Sequence, residues 1–221
     1  MRRYINAALA GGTGLAALAM VMLVPAGVAT SADHLDPPSR TDQGVDPTPD
    51  IAADIADIFM WHAGDTVRIV LTFAGPVEQT APLYYDRDVL YKINVSTQAP
   101  GTTPEFQIKA RFGRGENPGD WGVRIEGVPG VTGAFEGPVD TIMEKNGVKA
   151  IAGQFDEPFF FDVIGFRETR QFGTVRFNNQ RDFFANQNDI AIVLEIPKSA
   201  FGPGVTNLEA WAQTQRFGGN L

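Results

Sequence analysis

Asp33, His34, Asp36, Asp46, Asp54 and Asp57 all fall in the stretch that follows an uncharged N-terminal segment. Acidic side chains at that density supply the oxygens a hard cation such as calcium takes, and His34, Asp36, Asp54 and Asp57 form the candidate metal set. The spacing is not that of an EF-hand, which needs alternating Asp/Asn, a glycine at the sixth position and a glutamate at the twelfth. The competing reading is that the Asp-Pro pairs start turns, while Asp54 and Asp57 pair with arginine or cap backbone groups. Zinc fits less well, because a catalytic zinc takes two or three imidazoles and only His34 and His62 are present.

Two further groups carry chemistry. Asp86 and Asp88 flank Arg87 at the entry to an apolar run. Strand residues two apart share a face, so this pair has the geometry for acid–base work on a glycosidic bond if one carboxyl is desolvated. Against that stands a simple turn into a strand, with Arg87 neutralising one neighbour. Asp156-Glu157-Pro158-Phe159-Phe160-Phe161-Asp162 is the third group. On a strand, Phe159 and Phe161 would share one face and Phe160 take the other. Phe160 between Asp156 and Asp162 then reads as an aromatic platform for a sugar. Alternatively, Phe160 packs beneath the following loop, where Phe166, Phe172, Phe177, Phe183 and Phe184 supply partners. The candidate ligand-binding residues are thus Asp86, Asp88, Asp156, Phe160 and Asp162.

Other chemistries lack their residues. The absence of cysteine removes a thiolate nucleophile, a disulfide framework and iron–sulfur ligation. No Gly-x-Ser-x-Gly elbow is present, and Gly113-Arg114-Gly115 lacks the Lys-Ser/Thr ending of a phosphate loop. With 18 basic against 26 acidic residues, a net charge of −8 argues against nucleic acid as a partner.

These groups must be held by some scaffold. Arg2 and Arg3, an apolar stretch to about Ala29, and small residues at Ala26, Gly27, Ala29 and Ala32 have the order of a cleaved secretory signal. Residues 1–32 are therefore expected to be a signal peptide that places the protein in the periplasm or outside a bacterial cell. No membrane span is expected after its removal. Residues 33–221 form one domain at this length, opening with an extended acidic lead-in over 33–53.

The rest of the chain alternates with period two. Val67, Ile69, Leu71 and Phe73 share a face, as do Val89, Tyr91, Ile93 and Val95, and Phe106, Ile108, Ala110 and Phe112. Trp121 to Ile125 resumes the pattern after a polar loop. Ile55–Trp61 and Thr66–Phe73 are joined by a His62–Asp65 hairpin signal, and Asn146-Gly147 is a two-residue hairpin turn. Asp189–Pro197 reads as a strand buried on both faces, and Leu208–Thr214 as the last strand. Beyond the signal, helical periodicity is confined to a turn at Lys198–Phe201. About ten short strands predict an all-β protein, an antiparallel, jelly-roll-like β-sandwich with long loops and little helix; a barrel is the alternative.

Four segments, in order along the chain, resemble the DUF4331 family of exported bacterial proteins of unknown function. They are Asp33-His34-Leu35-Asp36-Pro37 with Asp54-Ile55-Ala56-Asp57-Ile58-Phe59; Tyr85 to Ile93; Ala152 to Asp162; and Asp182 to Asn188 running into Ile192–Pro197. The family often carries glycine where this chain has Asn186 or a neighbour. The resemblance implies export and a β-rich fold and brings no established reaction. The expected function is a non-catalytic exported domain that binds a ligand, a glycan or a partner protein of the cell envelope. The alternatives are a calcium-assisted polysaccharide hydrolase or lyase, and a structural envelope component.

Overall fold

The computed structural model describes residues 50–81 and 84–217; the expected signal segment and most of the expected acidic lead-in lie outside them. Among the described residues, ten strands form two antiparallel five-stranded sheets packed face to face, with no closed barrel. The first sheet has the order β1 (Ile55–Ala63), β2 (Thr66–Glu78), β9 (Gln187–Pro197), β8 (Val148–Asp156), β7 (Met143–Lys145). The second has the order β10 (Glu209–Arg216), β3 (Val89–Ser96), β4 (Phe106–Arg114), β5 (Trp121–Glu126), β6 (Ala134–Pro138).

The period-two pattern sets which side chains meet. Val67, Ile69, Leu71 and Phe73 of β2 and Ile190, Ile192, Leu194 and Ile196 of β9 face Val89, Tyr91, Ile93 and Val95 of β3 and Ile108, Ala110 and Phe112 of β4. Phe73, Tyr85, Tyr91 and Phe112 stack in one aromatic group, the Phe73 and Tyr91 rings 4.0 Å apart. The opposite faces are polar ladders. Arg68, Glu195 and Lys149 lie in one cross-strand row, with Arg68 Nε 3.0 Å and Lys149 Nζ 3.5 Å from the Glu195 carboxylate.

Asn146 and Gly147 have φ of 51° and 75°, the left-handed pair that a two-residue hairpin with matched twist requires. Asn186, where the resembled family often has glycine, has φ of 64°, a conformation asparagine tolerates better than most residues.

Four features depart from the sequence reading. Ile51–Ala53, at the end of the expected extended lead-in, form a single 3-10 turn. Residues 157–162 are not a strand, so Phe159, Phe160 and Phe161 do not alternate across a sheet. Helix α1 (Val163–Phe172) follows them, where no helix was expected. Asp162 caps its first turn and Gly173 ends it in the left-handed conformation. Finally, β9 is buried on both faces only over residues 189–192; beyond them, Val193 and Glu195 are half-buried. No helix among the described residues is long and apolar enough to cross a membrane.

Candidate functional site

The end of the sandwich formed by the β1–β2 hairpin and the β9–β10 connection holds a cleft of about 490 Å³. Met60, Val67, Phe201, Val205 and Leu208 line it with apolar surface, and Trp61, His62, Lys198 and Thr206 complete the wall. Val67 and Phe201 belong to the core, so the cleft floor is the sandwich interior itself. The Phe201 ring is braced edge-on against Phe106 at 5.6 Å, and Lys198 is fixed by its amide donating to Asp65 O at 2.8 Å. Trp61 is 46% exposed at the rim. His62 and Lys198 are the titratable groups of this lining, and no carboxylate is among them. An apolar floor with a few convergent polar groups on a rigid frame is the usual anatomy of a small-ligand site. Sequence reading missed it because its walls come from residues 60–67 and 198–208, which the β2–β9 ladder and the Lys198–Asp65 bond bring together.

The opposite end carries the excursion between β8 and β9, residues 157–186. Its anchor is Asp162. That carboxylate accepts hydrogen bonds from Gly165 N and Asn178 N, both at 2.8 Å, and from Arg181 Nε and Nη2 at 2.6 and 2.8 Å. The Arg181 guanidinium, helped by the two amides, holds the Asp162 carboxyl well below the usual carboxylate range against the opposing effect of burial. Phe159 and Phe161 pack into the loop cluster with Phe166, Phe177 and Phe184, rings 5.5–5.9 Å apart. Phe160 does not join them and is 60% exposed. Phe160, Asp162 and Phe177 share a shallow depression with Asn178 and Asn179, which Asp86, Asp88 and Asp156 do not line.

The Asp86–Asp88 pair forms the turn that competed with the catalytic reading. Asp86 Oδ1 accepts from Asp88 N at 2.8 Å, and Arg87 lies 3.7 Å from the Asp88 carboxylate. Asp86 Oδ2 is 2.9 Å from Arg216 Nη1, and the same guanidinium grips both oxygens of the buried Asp50. Burial works to raise the Asp86 pKa, and the Asp88 amide and Arg216 outweigh it, so the net shift is downward. Arg216 of β10 thus bridges Asp50 and Asp86. Asp156 is exposed at the end of β8.

Of the candidate metal set, His34 and Asp36 lie outside the described residues. Asp54 follows the 3-10 turn, and its carbonyl accepts from Ala74 N at 2.9 Å. Asp57 is buried on the outer face of β1, its amide donating to Thr72 Oγ1 at 2.9 Å. Among the described residues, no three His, Asp or Glu side chains are grouped as ligands of a metal ion.

Asp57 instead belongs to a buried acidic group that the spacing did not reveal. Asp189, 1% exposed, neighbours Glu157 and Thr72 and feels the charge of Asp57. Burial, reinforced by the neighbouring Glu157 carboxylate, drives the Asp189 pKa strongly upward, so this carboxyl keeps its proton in the fold. Asp57, Glu157 and Asp189 line neither the end cleft nor the Phe160 depression.

Compared with known proteins, the chain matches no family model, no curated protein and no solved structure.

Proposed function

We propose that this chain is an exported, non-catalytic β-sandwich domain that binds a small amphipathic anion in the end cleft. The observation that carries the reading is the lining of that cleft, where Lys198 and His62 rim an apolar floor in a chain with an excess of acidic residues. The floor offers Met60, Val67, Phe201, Val205 and Leu208 to an apolar body, and Trp61 gives it a flat wall. Lys198 supplies a charge-assisted contact to a carboxylate or sulfonate at the mouth. The N-terminal signal pattern and the resemblance to an exported family support a site of action in the cell envelope. The carboxylates that could have served a hydrolase favour the non-catalytic reading, since Asp86 and Asp162 are held by arginines and Asp189 is buried.

The test is titration with anilinonaphthalene sulfonate, an apolar ring system bearing one anion, and its displacement by dodecanoate. One saturable site is expected. Lys198→Met should weaken it by about tenfold, the worth of one charge-assisted contact. Val205→Trp, which fills the cleft, should abolish it. Binding that does not saturate, or that neither substitution changes, would remove the proposal.

A further inference from the structure

Eight large hydrophobic side chains are exposed among the described residues, and five of them, Phe160, Ile164, Phe172, Val175 and Phe177, fall between residues 160 and 177. Scattered exposed apolar residues are ordinary, but a concentration of them on one segment marks an interaction surface. Ile164 and Phe172, eight apart, lie on one face of α1. Phe160 and Phe177 meet in the depression beside Asp162. Residues 171–180 are exposed throughout, and Val175, 76% exposed, is near their middle.

The charge of this segment is the reverse of the chain's. Residues 163–181 hold Arg167, Arg170, Arg176 and Arg181 against Glu168 alone. Asp162 is consumed by Arg181, which also feels the charge of Glu168. Arg167, Arg170 and Arg176 remain exposed among the apolar side chains. Arg176 lies over the Phe172 ring at 4.4 Å and Arg170 over Phe166 at 5.9 Å, so cations and rings form one surface. The segment is pre-organised as well: Asp162 ties Gly165, Asn178 and Arg181 together, and Thr169 Oγ1 accepts from Arg176 N at 2.9 Å. Little ordering entropy therefore remains to be lost on docking.

We infer that the α1 excursion is a docking surface for an anionic lipid headgroup layer. Aromatic and aliphatic tips interspersed with arginines suit the membrane interface, where apolar side chains enter the acyl boundary and guanidinium groups meet phosphate. Charge complementarity selects the anionic surface and sets the orientation. Because the chain as a whole is net −8, contact with such a layer is favoured where arginines outnumber acids, as they do over residues 163–181. This inference does not depend on the end cleft, which is built by the opposite end of the sandwich.

The chain has no cysteine, so Val175→Cys in the full chain accepts a single environment-sensitive fluorophore at the tip. Ile142→Cys, exposed outside the excursion, is the control that also absorbs any contribution of the N-terminal segment. With vesicles of phosphatidylglycerol, the probe at 175 should shift to the blue and lose access to iodide; with phosphatidylcholine it should do neither. The probe at 142 should stay unchanged in both. Arg170→Glu with Arg176→Glu, placed behind the 175 probe, should remove the response, and raised salt should weaken it. An unmoved 175 probe, equal responses at 175 and 142, or a response indifferent to the charge reversal would each overturn the inference. A response to polyglutamate equal to that to phosphatidylglycerol would overturn it in favour of an acidic protein.

Discussion

The Asp189 carboxyl occupies the space that a side chain at Gly75 would need: a Cβ there would lie 1.9 Å from Asp189 Oδ1 and 2.8 Å from Asn188 O. The contact falls in the irregular stretch where the β2–β9 register breaks between Phe73 and Val77. Only glycine lets the strand pass this close to the buried acid. Gly75→Ala should therefore cost about 1–3 kcal/mol, as overpacking of a tight interior does. Adding Asp189→Ala should recover part of that loss, giving a favourable coupling in a double-mutant cycle read by urea unfolding. Additive losses would mean that the two residues do not compete for this space.

Asp189 also gives the fold a pH dependence of unusual sign. Its carboxyl keeps its proton in the fold because burial and the neighbouring Glu157 raise its pKa. The unfolded chain releases that proton at about pH 4. Above that pH the native state is the more protonated one, so the contribution is full below it and declines as pH rises toward the native pKa. The slope is at most about 1.4 kcal/mol per pH unit. Asp189→Asn should remove this slope, so the difference in stability between variant and wild type should shift toward the variant from about pH 5 to about pH 8. Parallel stability curves would show that Asp189 ionises normally.

The sequence disclosed the strands and concealed the sites, for reasons that individual residues make plain. Tyr91, Ile93 and Val95 alternate with half-buried or polar neighbours because β3 turns Lys92 and Asn94 away from the apolar core, and that period survives in one dimension. Asn146-Gly147 is legible because its two positive φ angles restrict the residue types it admits. Helix α1 was not legible. Its buried residues are Val163, Gly165 and Thr169, which leave no apolar stripe, although Asp162 before it and Gly173 after it were signals of its ends. Phe159 and Phe161 turn inward and Phe160 outward, the division the alternation gives, but the backbone has left the sheet at Glu157 and no strand produces it. The acids Asp57, Glu157 and Asp189 are distant in sequence and are brought together by the pairing of β1, β2, β9 and β8 in the first sheet. A one-dimensional period carries no trace of that.

The core assignment has its own test. Ile93 and Ile192 are fully buried on facing sheets, whereas Lys109 is on the polar side of β4, opposite Lys92 and Glu126. Ile93→Ala and Ile192→Ala should each cost about 2–5 kcal/mol in urea unfolding, transfer and cavity terms included. Lys109→Ala should change stability by less than about 0.5 kcal/mol. Equal effects at the three positions would place the strand registers one residue out.

Asp162 governs the α1 excursion, and its effect should be local. Arg181, the Gly165 amide and the Asn178 amide all prefer the ionised carboxylate, so its pKa in the fold lies below that of the unfolded chain. A depressed carboxylate stabilises in full above the ordinary pKa of about 3.9 and loses that contribution as pH falls toward the native value. The excursion should thus open in acid before the sandwich does, because the two sheets are held by apolar burial, which carries no proton. Hydrogen exchange at the amides of α1 should accelerate below about pH 4 while those of β3 and β9 stay protected. Asp162→Asn keeps the shape and removes the charge. It should bring the acid-opened behaviour to neutral pH, with exchange in α1 faster by about tenfold or more and protection in β3 unchanged. Arg181→Ala should do the same from the other side of the pair. If α1 and β3 lost protection together in either variant, the excursion would be part of the global folding unit and Asp162 would not be its latch.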